Sequence, residues 1–559
     1  MELIGKAANP EFWKQVREDD AYKAYREELL SFWDKDCTKT INALKYSDFR
    51  MFVVNGNRSI YESQYFLRRR ILNNSAILSM VYPEEEKYLV TLMDAIYAIC
   101  DEYTWCLPAH QTKLEINNNI HLDLFACETG FALAEIYTMV GDRLEPLIRD
   151  RIRVEIDRRI VTAYTNGTHY GWEKGRANWT AVCAGSVGCT FMLMHPEMVA
   201  ELKPRFDDSM ECYLSGFKDD GICEEGFGYW HYGFGFFTVY ADMIRNFTKG
   251  ETDYFKRPKV KEVARFVQKM YLSGKTTVSF SDGGRSGSYH LGLLHYLKNE
   301  YPDDITIPAP EFSYNQDACG RWCLHLRSAT WLKPEYLIPE KQLSTFDYYA
   351  EGSQWLVRKN ECFGFAAKAG TNAEPHNQND VGSFIVAKNG RQMLVDMGSG
   401  RYTRQYFAPA TRYGIVQCSS RGHSVPIIGG VYQHEGGAFR AKDAKYENGV
   451  FSADIAGAYD LPELKSLIRA FSFTDDTVIL NDKFTYEGDG DLVERLVSIA
   501  EPKADGNGAV IIDGLTVLYD PEKYELSFSS EPMDEKNPVF FTDFKLKPGI
   551  TEFSVTVKC

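Results

Sequence analysis

An array of helices followed by an antiparallel β half is the fold class that three observations predict for this chain of 559 residues. Apolar residues recur at three- and four-residue spacing from about Phe12 to Leu297, as in SIYESQYFLRRRILNNSAILSMVY and FFTVYADMIRNF. After about Leu343 the period becomes two, in segments such as QWLVRK, SFIVAKNGRQMLVDMG and GAVIIDGLTVLYD, broken by NG, DD and DG turns. Between these textures, YPDDITIPAPEFSYNQDACG accumulates Pro, Asp and Gly and marks a boundary. The expected organisation is multidomain α + β, divided as residues 1–330 and 331–559.

Each half can be justified further. The helices are separated by loops rich in Asn, Gly, Trp and Tyr, namely EYTWCLPAHQ, NGTHYGWEKGRANW and DDGICEEGFGYWHYG. Helices joined in this way suggest paired helices in a ring, with the loops on one rim. The alternating segments suggest antiparallel strands packed as a sandwich. Such a length exceeds one ordinary core, and 34 Tyr, 34 Phe and 9 Trp supply both core volume and stacking surfaces of the kind carbohydrate sites use.

A formal charge of −15 argues against nucleic acid or an anionic membrane as the main partner, because both require clustered Lys and Arg. An anionic sugar remains compatible, since a local basic pocket suffices. MELIGKAANPEFWKQVREDD has no apolar core of signal-peptide length and no later run is suited to span a bilayer, so the expected location is cytoplasmic. Thirteen Cys, an odd number scattered through apolar segments, fit reduced thiols. The closest pair, Cys319 and Cys323, is a weak disulfide or metal signal.

Chemistry concentrates in a few stretches. EPHNQNDVGSF, from Glu374 to Phe384, reads either as a polar site or as an Asn-rich turn between strands. In GRANWTAV, Asn178 beside Trp179 is either a helix N-cap or an amide facing a substrate carboxyl group. EEGFGYWHYGFGFF places Tyr229 and Tyr232 one helical turn apart, as a packed face or as proton donors and acceptors. Trp105, His110 and Gln111 in EYTWCLPAHQ offer stacking and hydrogen bonding, with a packed Pro-ended loop as the plainer reading. FSDGGRSGS around Arg285 lacks the Lys of a phosphate loop, so nucleotide binding is not expected. In the strand half, Arg404 and Tyr406 lie in RYTRQYF, while Gln378, Asp396 and His423 can offer an amide oxygen, a carboxylate and an imidazole to one divalent cation.

Taken in order, NW at a helix, the EGxxYxxYG-like turn, HxxNDxGSF, LxDxG and GHxxPxIxG resemble the heparinase II/III-like polysaccharide lyases over nearly the whole chain. The resemblance implies an incomplete (α/α) toroid, then an antiparallel β-sandwich, with a cleft between them. It implies β-elimination at a uronic acid in a glycosaminoglycan such as heparan, chondroitin or hyaluronan, leaving a 4,5-unsaturated end. Asn178 would neutralise the C6 carboxyl group, Tyr229 would be base or acid, and His376 its partner. Trp105, His110, Gln111, Trp179, Tyr232, Arg404 and Tyr406 would contact sugar. Gln378, Asp396 and His423 would hold one structural divalent ion, Mn, Zn or Ca, with Gln378 standing where the family often has a second His; Asn379 and Asp380 would brace the turn. Alginate lyase, uronate C5-epimerase and a non-catalytic carbohydrate binder are the alternatives, and a homodimer is admitted but not specified.

Overall fold

The computed structural model describes residues 2–38, 40–111, 114, 120–308, 318–337, 345–533 and 537–559. Long helices fill the first half, among them Ser59–Val81, Glu86–Cys100, Leu124–Val140, Asn178–Met194, Val199–Leu214 and Phe227–Phe247. Asn178–Met194 packs against Leu124–Val140, Val199–Leu214 and Phe227–Phe247. Its sequence, NWTAVCAGSVGCTFMLM, has no polar stripe, and the helix is buried on nearly every side. Gly188 permits that crowding, since a Cβ there would stand 2.7 Å from the Tyr240 ring.

Asp123 shows how a single carboxylate sets a helix start and a loop together. Its Oδ1 accepts from the Ala126 N–H at 2.7 Å, capping Leu124–Val140. Its Oδ2 accepts from the Leu107 N–H at 3.1 Å and meets His110 Nδ1 at 2.7 Å, which fixes the loop holding His110.

The helical period expected to run to Leu297 is interrupted. Tyr271–Ser273 and Thr276–Thr277 form a hairpin, and an irregular stretch runs from there to His290 before the helix Leu291–Glu300. TTVSFSDGGRSGS explains this, because β-branched residues, Ser, Asp and Gly are poor helix formers.

Five strands, Phe346–Ala350, Trp355–Lys359, Gly364–Lys368, Phe384–Lys388 and Arg391–Leu394, form an antiparallel sheet in that order. Trp355, Val357, Ala366 and Ile385 join the core of the helical half. Leu356, Phe365, Phe384 and Val386 point the other way, into a core shared with two further sheets. Period-two alternation here separates two cores rather than core from solvent, so the strands read as continuous apolar runs.

Of those further sheets, one has eight strands and includes Leu464–Phe473 and Thr477–Tyr486; the other has four and includes Leu492–Ser498. Arg469 ties them together and is only 2% exposed. Its Nη2 donates to Asp482 Oδ2 at 2.6 Å and to Glu494 Oε2 at 2.8 Å. Its Nη1 reaches the Gly382 and Ser424 carbonyls at 2.9 and 2.8 Å, in the loops ending at Phe384 and following His423.

No described helix is long and apolar enough to cross a membrane, and no described cysteine pair forms a disulfide. Arg469→Met would leave Asp482 and Glu494 buried without their cation. The expected loss is about 3–5 kcal/mol of unfolding free energy, read by denaturant titration, whereas the exposed pair Lys465–Glu487 should be removable at less than about 1 kcal/mol.

Candidate active site

Helical loops and β loops enclose a cleft of about 990 Å³ whose walls include His110, Asn178, Trp179, Tyr229, Asp282, His376 and Tyr402. A larger cavity, about 1230 Å³, opens among Trp33, Tyr61 and Tyr97, away from these groups. The chemistry therefore lies in the smaller space.

Asp282 is the hub. Its Oδ2 meets His376 Nδ1 at 2.6 Å and accepts from the Tyr402 hydroxyl at 2.7 Å, while its Oδ1 accepts from the Tyr406 hydroxyl. Tyr402 in turn lies 2.7 Å from the Tyr229 hydroxyl, and the Tyr229 and His376 rings stand 4.5 Å apart. Burial alone would raise the Asp282 pKa, but the hydrogen bonds and charge of His376 with the two tyrosines outweigh it and hold the carboxyl below its usual value. The Tyr229 pKa is raised by burial, with the Asp282 and Glu225 charges adding to it against the Tyr402 hydrogen bond and Arg321, so Tyr229 is a neutral phenol.

The backbone is strained where these groups meet. Ser281 and His376 both adopt positive φ, +58° and +56°, a region costly for residues with a Cβ. Two contacts hold the strain. Gln378 Nε2 donates to the Ser281 carbonyl at 2.6 Å and the Gly398 carbonyl at 3.1 Å, tying three loops. Arg412 donates to the His376, Asn377 and Tyr406 carbonyls, each at 2.9 Å. At Gly398, φ +68°, a Cβ would collide with the Gly283 carbonyl, so only glycine allows the approach.

Asn178 is the first residue of its helix rather than the cap, which is Ala177. Burial raises the pKa of the nearby Glu225 carboxyl, opposed by the charge of His376 and by the Asn178 backbone N–H. Tyr232 hydrogen-bonds Glu128, and the Arg321 guanidinium lies 3.8 Å from its ring centre. His110 and Trp179 make an edge-on contact at 4.8 Å on the cleft wall. Arg404 lines the same cleft and donates to the Phe52 and Val53 carbonyls, joining the two halves.

Three residues expected to touch sugar do not line the cleft. Trp105 is a core residue, its Nε1 bound to the Ile99 carbonyl at 2.9 Å and Arg159 over its ring at 4.8 Å. Gln111 is buried behind the wall. Tyr406 is fully buried and spends its hydroxyl on Asp282. Conversely, Asp282, Tyr402, Glu225 and Arg412 escaped the sequence reading. In FSDGGRSGS the Asp carries no spacing signal.

Beside the cleft, Asp380, Asp396 and His423 each offer a ligand atom within 4.8 Å of the others, all buried, and this group could hold a metal ion. Asp380 thus joins Asp396 and His423, where Gln378 was expected and Asp380 was assigned to the turn. Asp380 Oδ1 receives Lys368 Nζ at 2.8 Å, leaving Oδ2 buried without a hydrogen bond, as is Gln378 Oε1. His423 Nε2 faces the Gln417 carbonyl at 3.0 Å and must donate to it, so Nδ1, 3.1 Å from Asp396, is the nitrogen available as a ligand.

No family model matches this sequence, and no curated protein matches it either. Solved structures do match. The heparan sulfate lyase HepC from Pedobacter heparinus aligns over 98% of this chain and 92% of its own, with TM-score 0.60 and 13% identity. A structure of heparinase III aligns over 100% of this chain and 93% of its own, with TM-score 0.60 and 13% identity. The Streptomyces coelicolor A3 chondroitin AC lyase, in complex with chondroitin sulphate, aligns over 98% of this chain and 82% of its own, with TM-score 0.53 and 10% identity. The chain therefore has a polysaccharide-lyase-like fold, as the order of motifs implied.

Proposed function

We propose that this chain is a lyase that cleaves uronate-containing glycans, of glycosaminoglycan type, by β-elimination, with an α/α toroid over residues 1–330 supplying one cleft wall and a β-sandwich over 331–559 the other. The observation that carries this is the convergence of Asn178, Tyr229 and His376 on one cleft. A C5 proton is too weakly acidic to remove until the neighbouring carboxylate is neutralised, and the Asn178 amide stands at a helix N-terminus, where negative charge is favoured. Tyr229 and His376 divide the remaining work, one removing the C5 proton and the other protonating O4 as its bond to C4 breaks.

Because those two rings stand 4.5 Å apart, tilted by 31°, base and acid approach the sugar from one side. The C5 hydrogen and O4 share a face in glucuronate and mannuronate and lie on opposite faces in iduronate, guluronate and galacturonate. Glucuronate in heparan, chondroitin or hyaluronan oligomers fits best, and mannuronate is the second reading. His110 and Trp179 supply the contact surface. Arg58, Arg321 and Arg404 line the cleft beside Glu62 and Asp282, with Arg58 paired to Glu62, and offer cations to a carboxylated sugar in an acidic protein.

The donor set beside the cleft fits one divalent ion, Mn, Ca or Zn, held by Asp380, Asp396 and His423, with Gln378 Oε1 as a further oxygen. When bound, the ion supplies charge neutralisation and pins the 374–380 and 396–400 loops.

Two experiments test this reading. On glucuronate-containing oligomers, Tyr229→Phe, His376→Ala and Asn178→Ala should each lower kcat about a hundredfold or more, measured by ultraviolet absorbance of the unsaturated product. Wild-type protein that yields no such product on any uronate oligomer refutes the function. For the ion, equilibration with Mn, Ca or Zn after chelation should raise Tm in the wild type and leave Asp396→Asn unmoved. Equal shifts in both proteins would dismiss the site.

A further inference from the structure

A hydrogen-bond ledger around Asp282 assigns more than the presence of an acid and a base. His376 Nδ1 faces a carboxylate oxygen at 2.6 Å, so it carries the proton, and Nε2 is left as the nitrogen with a lone pair. Tyr402 has one hydroxyl hydrogen and gives it to the same carboxylate at 2.7 Å. Its oxygen must then accept from Tyr229, 2.7 Å away. A single anion thereby sets the proton positions of His376, Tyr402 and Tyr229.

Resting on the lyase reading above, we propose that Asp282 is the positioning residue that makes His376 the base and Tyr229 the acid, with Tyr402 coupling the two. His376 Nε2 takes the C5 proton. The C5–H electron pair becomes the C4=C5 π bond, and the C4–O4 pair leaves with O4, which takes the Tyr229 proton. As the imidazolium forms, its charge satisfies Asp282, and the Tyr402 hydroxyl is released to turn and donate to the Tyr229 phenolate. After product departs, the imidazolium gives its Nε2 proton to water and Tyr229 regains one from water, so no proton is gained or lost overall.

The surroundings support this division. The phenol of Tyr229 faces the carboxylates of Asp282 and Glu225, which disfavour a resting phenolate base, with Arg321 the opposing cation. His376 faces Asp282, with Glu225 nearby and its pKa raised by burial, while Arg412 holds the His376 carbonyl and stands 3.9 Å from Asp282 Oδ1. Of the two tyrosines on Asp282, Tyr402 lines the cleft and touches Tyr229, whereas Tyr406 is buried and touches neither Tyr229 nor His376. Tyr406 therefore bears on the site through Asp282.

The test compares Asp282→Asn, Asp282→Glu and Tyr406→Phe on a glucuronate oligomer that the wild type cleaves. An Asn amide would donate to His376 Nδ1 and place the proton on Nε2, so kcat should fall about a thousandfold or more with KM within about threefold. Asp282→Glu should recover part of the rate, and Tyr406→Phe, which removes one partner of the carboxylate, should lose less rate than Asp282→Asn. Asp282→Asn with wild-type kcat overturns the proposal while leaving the lyase reading standing; a wild type without elimination overturns that reading instead. If Asp282→Asn does not fold, the imidazole ¹⁵N shifts of His376 in the wild type decide: Nδ1–H supports the proposal and Nε2–H refutes it.

Discussion

A buried carboxylate needs partners, and those of Asp282 come from the other half of the molecule. The residue sits in the irregular run after a hairpin of the helical half, yet His376, Tyr402 and Tyr406 all come from β loops. Without them, desolvation would push its proton on; with them it stays ionised and organises the cleft. Joining the halves and setting the protonation of the candidate site are consequences of one interaction.

The strain at Ser281 and His376 is compatible with folding because the loops around them are anchored to rigid elements. Arg412 holds three carbonyls of the β loops, and Gln378 ties Ser281 to Gly398. Deeper, Lys368 pairs with Glu374 and Asp380, both at 2.8 Å, fixing the two sides of the 374–380 loop to a strand. Arg469 then links Gly382, just beyond that loop, to two further sheets. Positioning passes from sheet to loop to cleft residue through buried charge pairs, which demand close geometry.

The acidic whole and the arginines of the cleft do not conflict. Net charge concerns solubility and long-range encounter, whereas Arg58, Arg321 and Arg404 act at short range within the cleft. High aromatic content likewise divides by place: Trp179 forms cleft wall, while Trp105, Trp230 and Trp355 are core.

Hydrophobic periodicity alone determined that helices precede antiparallel strands, because residue spacing of three to four or of two records which face is buried. Motif order pointed to Asn178, Tyr229 and His376, which do share a cleft. Trp105, Gln111 and Tyr406 were misplaced because a residue type carries no record of the direction in which its side chain leaves the backbone. Asp282 was invisible for a related reason: its meaning lies in partners 94, 120 and 124 residues away along the chain. Local sequence specifies which atoms can donate and accept; only the packing of the two halves decides which of them meet.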